Sequence, residues 1–209
     1  SGITAFRCAD VLLEESRAAQ KTRPDDATLC VKVATLRLAT GEVDQANDEL
    51  RSLLKSPLNQ ETRQSAERIL RESLFHRLPF DIPNRTRILA ELDRLSTKTP
   101  DRARYLICRA DDQLERGDFT GVLKTAHDFA SIRVNEPLPM GGNPLHLVSS
   151  EAFVPALIGR VRRQFGPEQL SEARLQVETE LEDAIQSGDR RTLETFLSVY
   201  SEWPEADRA

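Results

Sequence analysis

Apolar residues recur along this chain at intervals of three and four. Ile3, Phe6, Ala9 and Leu13 form one stripe, and Ala66, Ile69, Leu70 and Leu74 another. Leu89, Leu92 and Leu95 form a third, and Leu170, Ala173, Val177, Leu181 and Ile185 a fourth. That spacing places each set on one face of an α-helix. Sustained alternation of apolar and polar residues, the mark of a half-buried strand, is nearly absent. The pattern predicts ten helices, over 3–20, 26–40, 43–55, 60–77, 84–96, 100–116, 119–131, 150–164, 167–187 and 189–201. Helices of this length are marginal alone in water, so each apolar stripe needs a partner surface.

The breaks between stripes carry helix-start and helix-stop chemistry. Asp25-Asp26 and Asn59 place side-chain oxygens before two helices. Thr99-Pro100-Asp101 orders a capping hydroxyl, a proline at the first helical position and an acid near the positive end of the helix dipole, and Gly166-Pro167-Glu168 follows the same plan with glycine as cap. Leu78-Pro79-Phe80-Asp81-Ile82-Pro83 interrupts the helical pattern. Three turns share one motif: Thr40-Gly41-Glu42, Arg116-Gly117-Asp118 and Ser187-Gly188-Asp189 each put glycine and then an acid between two helical stretches. Glycine takes the left-handed conformation that ends the first helix, and the acid caps or charges the start of the second. The glycines lie 76 and 71 residues apart, each about two units of a repeat of about 34 residues plus short insertions. The pattern is that of helix pairs stacked on one another.

Composition narrows the function classes. The 209 residues are 39% hydrophobic and 30% charged with a net charge of -5, enough apolar content for a core and too little charge asymmetry for a disordered tail. The longest stretch without a strongly polar residue, Ala152 to Gly159, has 8 residues and contains Pro155, against about 20 for a bilayer crossing; no membrane span is expected. Cys8, Cys30 and Cys108 are odd in number and far apart, which argues against a disulfide framework or a zinc site. Arginine outnumbers lysine, with clusters at Arg85 and Arg87, at Arg160, Arg162 and Arg163, and at Arg190-Arg191. Acids interleave with them and the total charge is negative, so nucleic acid is not the expected partner. The chain opens Ser1-Gly2-Ile3 without a signal-peptide pattern, which suggests a processed chain or an excised fragment.

No residue pattern points to catalysis, a metal or a cofactor. His76, His127 and His146 form no metal-binding spacing. His127 and Asp128 are adjacent, so on a helix they point about 100° apart and form no relay; they read as a solvated pair. Paired acids such as Glu14-Glu15, Asp111-Asp112 and Glu180 with Glu182-Asp183 read as solvated faces. Met140-Gly141-Gly142-Asn143 reads as a turn. It lies in the segment 132–149, whose Pro137, Pro139, Pro144 and two glycines, with Leu138, Leu145 and Leu147, suggest a strap joining two helical regions or a docking element. The domain organisation expected is helical repeats over 1–131, a Pro/Gly-rich strap over 132–149 and a C-terminal helical segment over 150–209.

A helix, a Gly-acid turn, a second helix and a closing proline resemble the tetratricopeptide-type repeat. In that register Ala34, Ala46, Leu50, Leu53 and Pro57 surround Gly41; Ala110, Val122, Ala126 and Phe129 surround Gly117; and Leu193, Leu197, Tyr200 and Pro204 follow Gly188. Arg37, Gln113 and Ala184 stand where the family carries an aromatic, which makes these repeats degenerate. The tail from Tyr200 through Trp203-Pro204-Glu205-Ala206 to Ala209 is similar to the Tyr-Pro-x-x-Pro-x-Ala signature in repeats of bacterial envelope proteins, with Ser201 in place of the first proline. The chain also resembles helical segments attached to PQQ-type β-propeller repeats. The resemblance implies an all-α, right-handed solenoid of antiparallel helix pairs, about ten helices in all, acting as a non-catalytic scaffold that presents a groove to a protein or peptide segment. It places Thr28 and Thr35, Arg104 and Asp111, and Glu178 and Glu182 on first helices as groove residues, suited to a polar or basic peptide. Alternatives are a structural spacer orienting a β-propeller or other domain of a larger bacterial envelope protein, and a helical enzyme, which would need a deep pocket joining acids to one of the histidines. A bacterial envelope location is slightly favoured over the cytoplasm.

Overall fold

The computed structural model describes residues 2–132, 134, 137–140 and 143–200. The tail with Trp203 and Pro204 and the glycines Gly141 and Gly142 lie outside the described residues, as do the side chains of Ile3, Phe6, Leu170 and Ala173. Helices carry the fold: α1 (Gly2–Thr22), α2 (Ala27–Ala39), α3 (Val43–Leu54), α4 (Gln60–Arg77), α5 (Arg85–Leu95), α6 (Thr99–Arg116), α7 (Phe119–Ala130), α8 (Ser150–Gln164), α9 (Pro167–Ser187) and α10 (Arg190–Tyr200), with a 3-10 turn at Ile82–Asn84. All ten expected helices are present, with ends within two residues of those predicted. The departure from an all-helical chain is a two-stranded antiparallel ribbon, β1 (Leu138–Met140) with β2 (Asn143–Val148), where a strap was expected. Met140 pairs with Asn143. β1 lies on α6 and buries Leu138, while Leu147 stands 61% exposed.

The chain divides into two compact units, Ser1–Leu95 and Ser96–Ala209. The division falls at Leu95 and Ser96 rather than along 132–149, because α7 packs against α8, α9 and α10 and thereby joins the C-terminal helices. In the first unit α1 packs on α2, α2 on α3 and α4, α3 on α4, and α4 on α5. Its core is Val33, Ala34, Ala46, Leu50, Ala66, Leu70, Leu74 and Leu92, all at most 1% exposed. Arg51 on α3 clamps Glu91 on α5 with Nε 2.9 Å from Oε1 and Nη2 2.8 Å from Oε2, the paired geometry that makes arginine–carboxylate contacts the stronger kind. In the second unit α7 and α10 are central: α7 meets α6, α8, α9 and α10, and α10 meets α8 and α9. Ala110, Val122, Ala126, Phe129, Leu157, Val177, Leu181 and Val199 fill that core. Leu197, which the repeat register places after Gly188, is 37% exposed.

The glycine turns work as their residue types require. Gly41, Gly117 and Gly188 all have positive φ, at 88°, 71° and 61°. Past the glycine, Glu42 N–H donates to Arg37 C=O (2.8 Å) and Asp118 N–H to Gln113 C=O (2.9 Å), the six-residue closure of a Schellman cap. The acids then diverge. Asp118 and Asp189 cap the next helix through the amides of Gly121 and Thr192, whereas Glu42, one methylene longer, makes no cap and pairs with Arg17 and Arg37. Asp26 and Asn59 cap α2 and α4 as expected. Thr99 does not cap α6: the helix already includes it, and Lys98 occupies the cap position without a side-chain bond. A methyl group added at Gly117 would meet only the Phe165 ring at 3.9 Å, and one at Gly41 would meet nothing within 4 Å. Gly117→Ala and Gly41→Ala should therefore each cost about 1–2 kcal/mol through backbone strain alone, measurable by denaturant titration.

The residue four positions before each turn glycine faces the second helix of its pair. Arg37 Nη1 donates to Gln45 Oε1 (2.6 Å) and Nη2 lies 3.1 Å from Glu49. Gln113 Oε1 accepts from the buried Thr125 hydroxyl (2.7 Å). Ala184 fills the equivalent place as a buried methyl. Where aromatic packing would join two helices, charge and hydrogen bonds join them in the first two pairs.

Candidate functional site

Two cavities are the candidate sites, one in each unit. In the second unit, Thr120, Lys124 and His127 follow one another at spacings of four and three on α7 and share a face. On α9, Asp183 and Ala184 lie three and four positions after Glu180 and share its face, and on α10 Phe196 lies four after Thr192. These faces enclose a cavity of about 500 Å³. At its edge His127 Nε2 lies 2.7 Å from Glu180 Oε2 and 3.0 Å from the Tyr200 hydroxyl, and that hydroxyl donates to the same Glu180 oxygen at 2.7 Å. An ionised carboxylate only accepts, so His127 carries its proton on Nε2 and both neighbours donate to Oε2. Tyr200 is fully buried, and a buried phenol needs such a partner. Burial, and then the Glu180 carboxylate, push its ionisation far above the usual tyrosine range. The rings of His127 and Phe196 lie 5.3 and 4.9 Å from that of Tyr200, so the cluster ties α7, α9 and α10 together.

In the first unit a groove of about 610 Å³ runs between α2, the start of α3 and α4. Leu38, Val43 and Ile69 give it an apolar lining, with Asp44, Arg68, Glu72, His76 and Arg77 around them and Phe80 at one end. Arg77 bonds Asp44 and, at 2.6 Å, Asp81. The Asn84 amide, with Arg77, holds the Asp81 carboxyl below the usual range. Ser73 also lines the groove; its hydroxyl is buried without a hydrogen-bond partner, a costly state for a polar group. Phe80 is 86% exposed and Ile82 68% exposed on the turn after α4.

The six groove residues expected from the repeat register lie elsewhere. Thr28 and Thr35 are exposed on α2, Thr35 bonding the Val31 carbonyl at 2.8 Å. On α6, Arg104 is half-buried and Asp111 accepts from Arg160 of α8 at 2.7 Å. On α9, Glu178 faces Arg174 at 3.6 Å and Glu182 is exposed. None of the six is among the residues lining either cavity; on α9 it is Glu180 and Asp183 that line one. His127 and Asp128 do diverge, Asp128 toward Arg109 (3.5 Å) and His127 into the Glu180 cluster, so His127 is not simply solvated. The signal available in the sequence was the shared spacing of Thr120, Lys124 and His127, but nothing local linked it to residues more than fifty positions away.

Among the described residues no group of three or more His, Cys, Asp or Glu side chains is placed to hold a metal ion, and no helix is long and apolar enough to cross a membrane. Burial pushes the Cys108 thiol up to about 12, which makes it a poor nucleophile. No protein-family model, curated protein or solved structure matches this chain.

Proposed function

We propose that the chain is a degenerate tetratricopeptide-like scaffold, a right-handed stack of antiparallel helix pairs with no catalytic role, and that the groove of the first unit receives a segment of a partner protein. The observation that carries this reading is the groove itself. It joins an apolar lining to a charged rim, an unsatisfied Ser73 hydroxyl and an almost fully exposed Phe80. A large exposed aromatic beside an apolar cleft is the usual composition of a protein-binding surface. The small and apolar positions around Gly41 and Gly117, where the repeat register needs burial, support the architectural half: Ala34, Ala46, Leu50, Ala110, Ala126 and Phe129 are all buried.

The test is selection from a random peptide library displayed on phage. A consensus with an apolar anchor should emerge, and Phe80→Ser and Arg68→Glu should each weaken its peptide about ten- to hundredfold without lowering the melting temperature. Selection of no consensus, or of one indifferent to both substitutions, would remove the groove from the proposal. A second reading, a helical enzyme, is favoured by the Glu180-oriented imidazole at the edge of a cavity, an arrangement that suits general-base chemistry. Hydrolysis of chromogenic carboxylic or phosphoric esters by the wild type and not by His127→Gln would favour it over the scaffold.

A further inference from the structure

The cavity of the second unit has walls of opposite chemistry. The α7 wall presents the Thr120 hydroxyl and the Lys124 ammonium, and the α9 wall presents the Asp183 and Glu180 carboxylates. Among the described residues, Lys124 and Asp183 have no hydrogen bond or ion pair, although both line the same cavity. Ala184 and Phe196 line the same cavity with apolar side chains. The base is held by the His127–Glu180–Tyr200 hydrogen bonds, which fix the three helices that carry the lining. A volume of about 500 Å³ lies in the range of small-molecule sites.

We infer that this cavity binds a small zwitterion of amino-acid size. Its carboxylate meets Lys124 and Thr120, its ammonium meets Asp183, and its apolar body lies on Phe196 and Ala184. A simple anion would leave Asp183 unanswered and face the repulsion of both α9 carboxylates; a simple cation would leave Lys124 unanswered and face its repulsion. A ligand carrying both charges satisfies both walls, and charge-assisted hydrogen bonds of this kind are the stronger ones. The inference is independent of the groove in the first unit, so either can fail without the other.

The test follows the His127 ring signals by NMR in full-length labelled protein, with the resonance assigned by its absence from His127→Gln. L-Leucine and 6-aminohexanoate serve as zwitterions of short and long charge separation. L-Leucinamide lacks the carboxylate, and N-acetyl-L-leucine lacks the ammonium. Saturable shifts are expected with at least one zwitterion. If leucine binds, each of its two derivatives should bind at least about tenfold more weakly, and Lys124→Met and Asp183→Asn should each weaken the zwitterion that binds by about tenfold or more. Both side chains are exposed on their helices, so the variants should keep the wild-type melting temperature. No shift with either zwitterion at its solubility limit, or equal binding of leucine and either derivative, would overturn the assignment. Unchanged affinity in both variants would overturn it as well.

Discussion

Leu50→Ala should lower the unfolding free energy of the first unit by about 2–5 kcal/mol. Leu50 is 0% exposed at the middle of α3, and α3 is packed against both α2 and α4, so the neighbours that would have to collapse into the gap belong to three helices at once. Flanking Ala46 is also 0% exposed and has no side chain to swing into the space. The lost transfer energy of the removed carbons therefore adds to the penalty of a retained cavity. Native-state hydrogen exchange of the α3 amides measures the loss where it occurs, which matters because a chain of two units need not unfold in one step. Leu197→Ala is the matched control: the same chemistry at a 37% exposed position should cost less than about 1 kcal/mol. Equal losses at the two sites would mean that Leu197 lies between packed helices after all.

The second unit should lose about 4 kcal/mol of stability between about pH 9 and pH 11. Burial raises the ionisation of both the Cys108 thiol, to about 12, and the Tyr200 phenol. In both groups the protonated form is the neutral one, and the fold holds it. Their folded-state pKa values exceed the unfolded ones, about 8.5 for Cys and about 10 for Tyr. Below the unfolded values the contribution is fully present. Above them the unfolded chain gives up a proton that the folded chain keeps, and stability falls by about 1.4 kcal/mol per pH unit for each group. Cys108, whose unfolded value is the lower, accounts for the larger share of the expected loss and Tyr200 for the rest. Amide exchange from α6 and α10 across this range measures it. Cys108→Ala should flatten the dependence above about pH 9, and Tyr200→Phe above about pH 10. Tyr200→Phe also removes a donor to Glu180, so its baseline stability should fall by about 1–2 kcal/mol at neutral pH.

The candidate chemistry was less legible in the chain than the helices that carry it. Adjacent residues such as His127 and Asp128 could be separated by helical geometry alone. The partners that His127 does have, Glu180 and Tyr200, are 53 and 73 positions away, and only the packing of α7 against α9 and α10 brings them within hydrogen-bond distance. The same reason applies to α9. Glu178 and Glu182 flank Glu180, and which of them faces a neighbour depends on the rotation of α9 about its own axis. An amphipathic pattern with acids on several sides leaves that rotation open. Helix α9 carries Glu178, Glu180, Glu182 and Asp183 within two turns, so charge by itself could not select a face.

By itself, the amino-acid order determined the local architecture: ten helices, the positive-φ glycines that end α2, α6 and α9, and the buried small residues around the first two of those turns. These features depend on interactions within a few residues, namely backbone sterics, capping bonds and three-to-four spacing, and such interactions are written directly in neighbouring positions. Tertiary structure alone decided the division after Leu95, the return of α10 to α7, the pairing of 138–140 with 143–148 as a ribbon, and the two cavities. Each of those outcomes turns on which of several comparable apolar faces meet. Many pairings hide similar amounts of surface, and the winner is selected by side-chain fit between helices far apart in the chain.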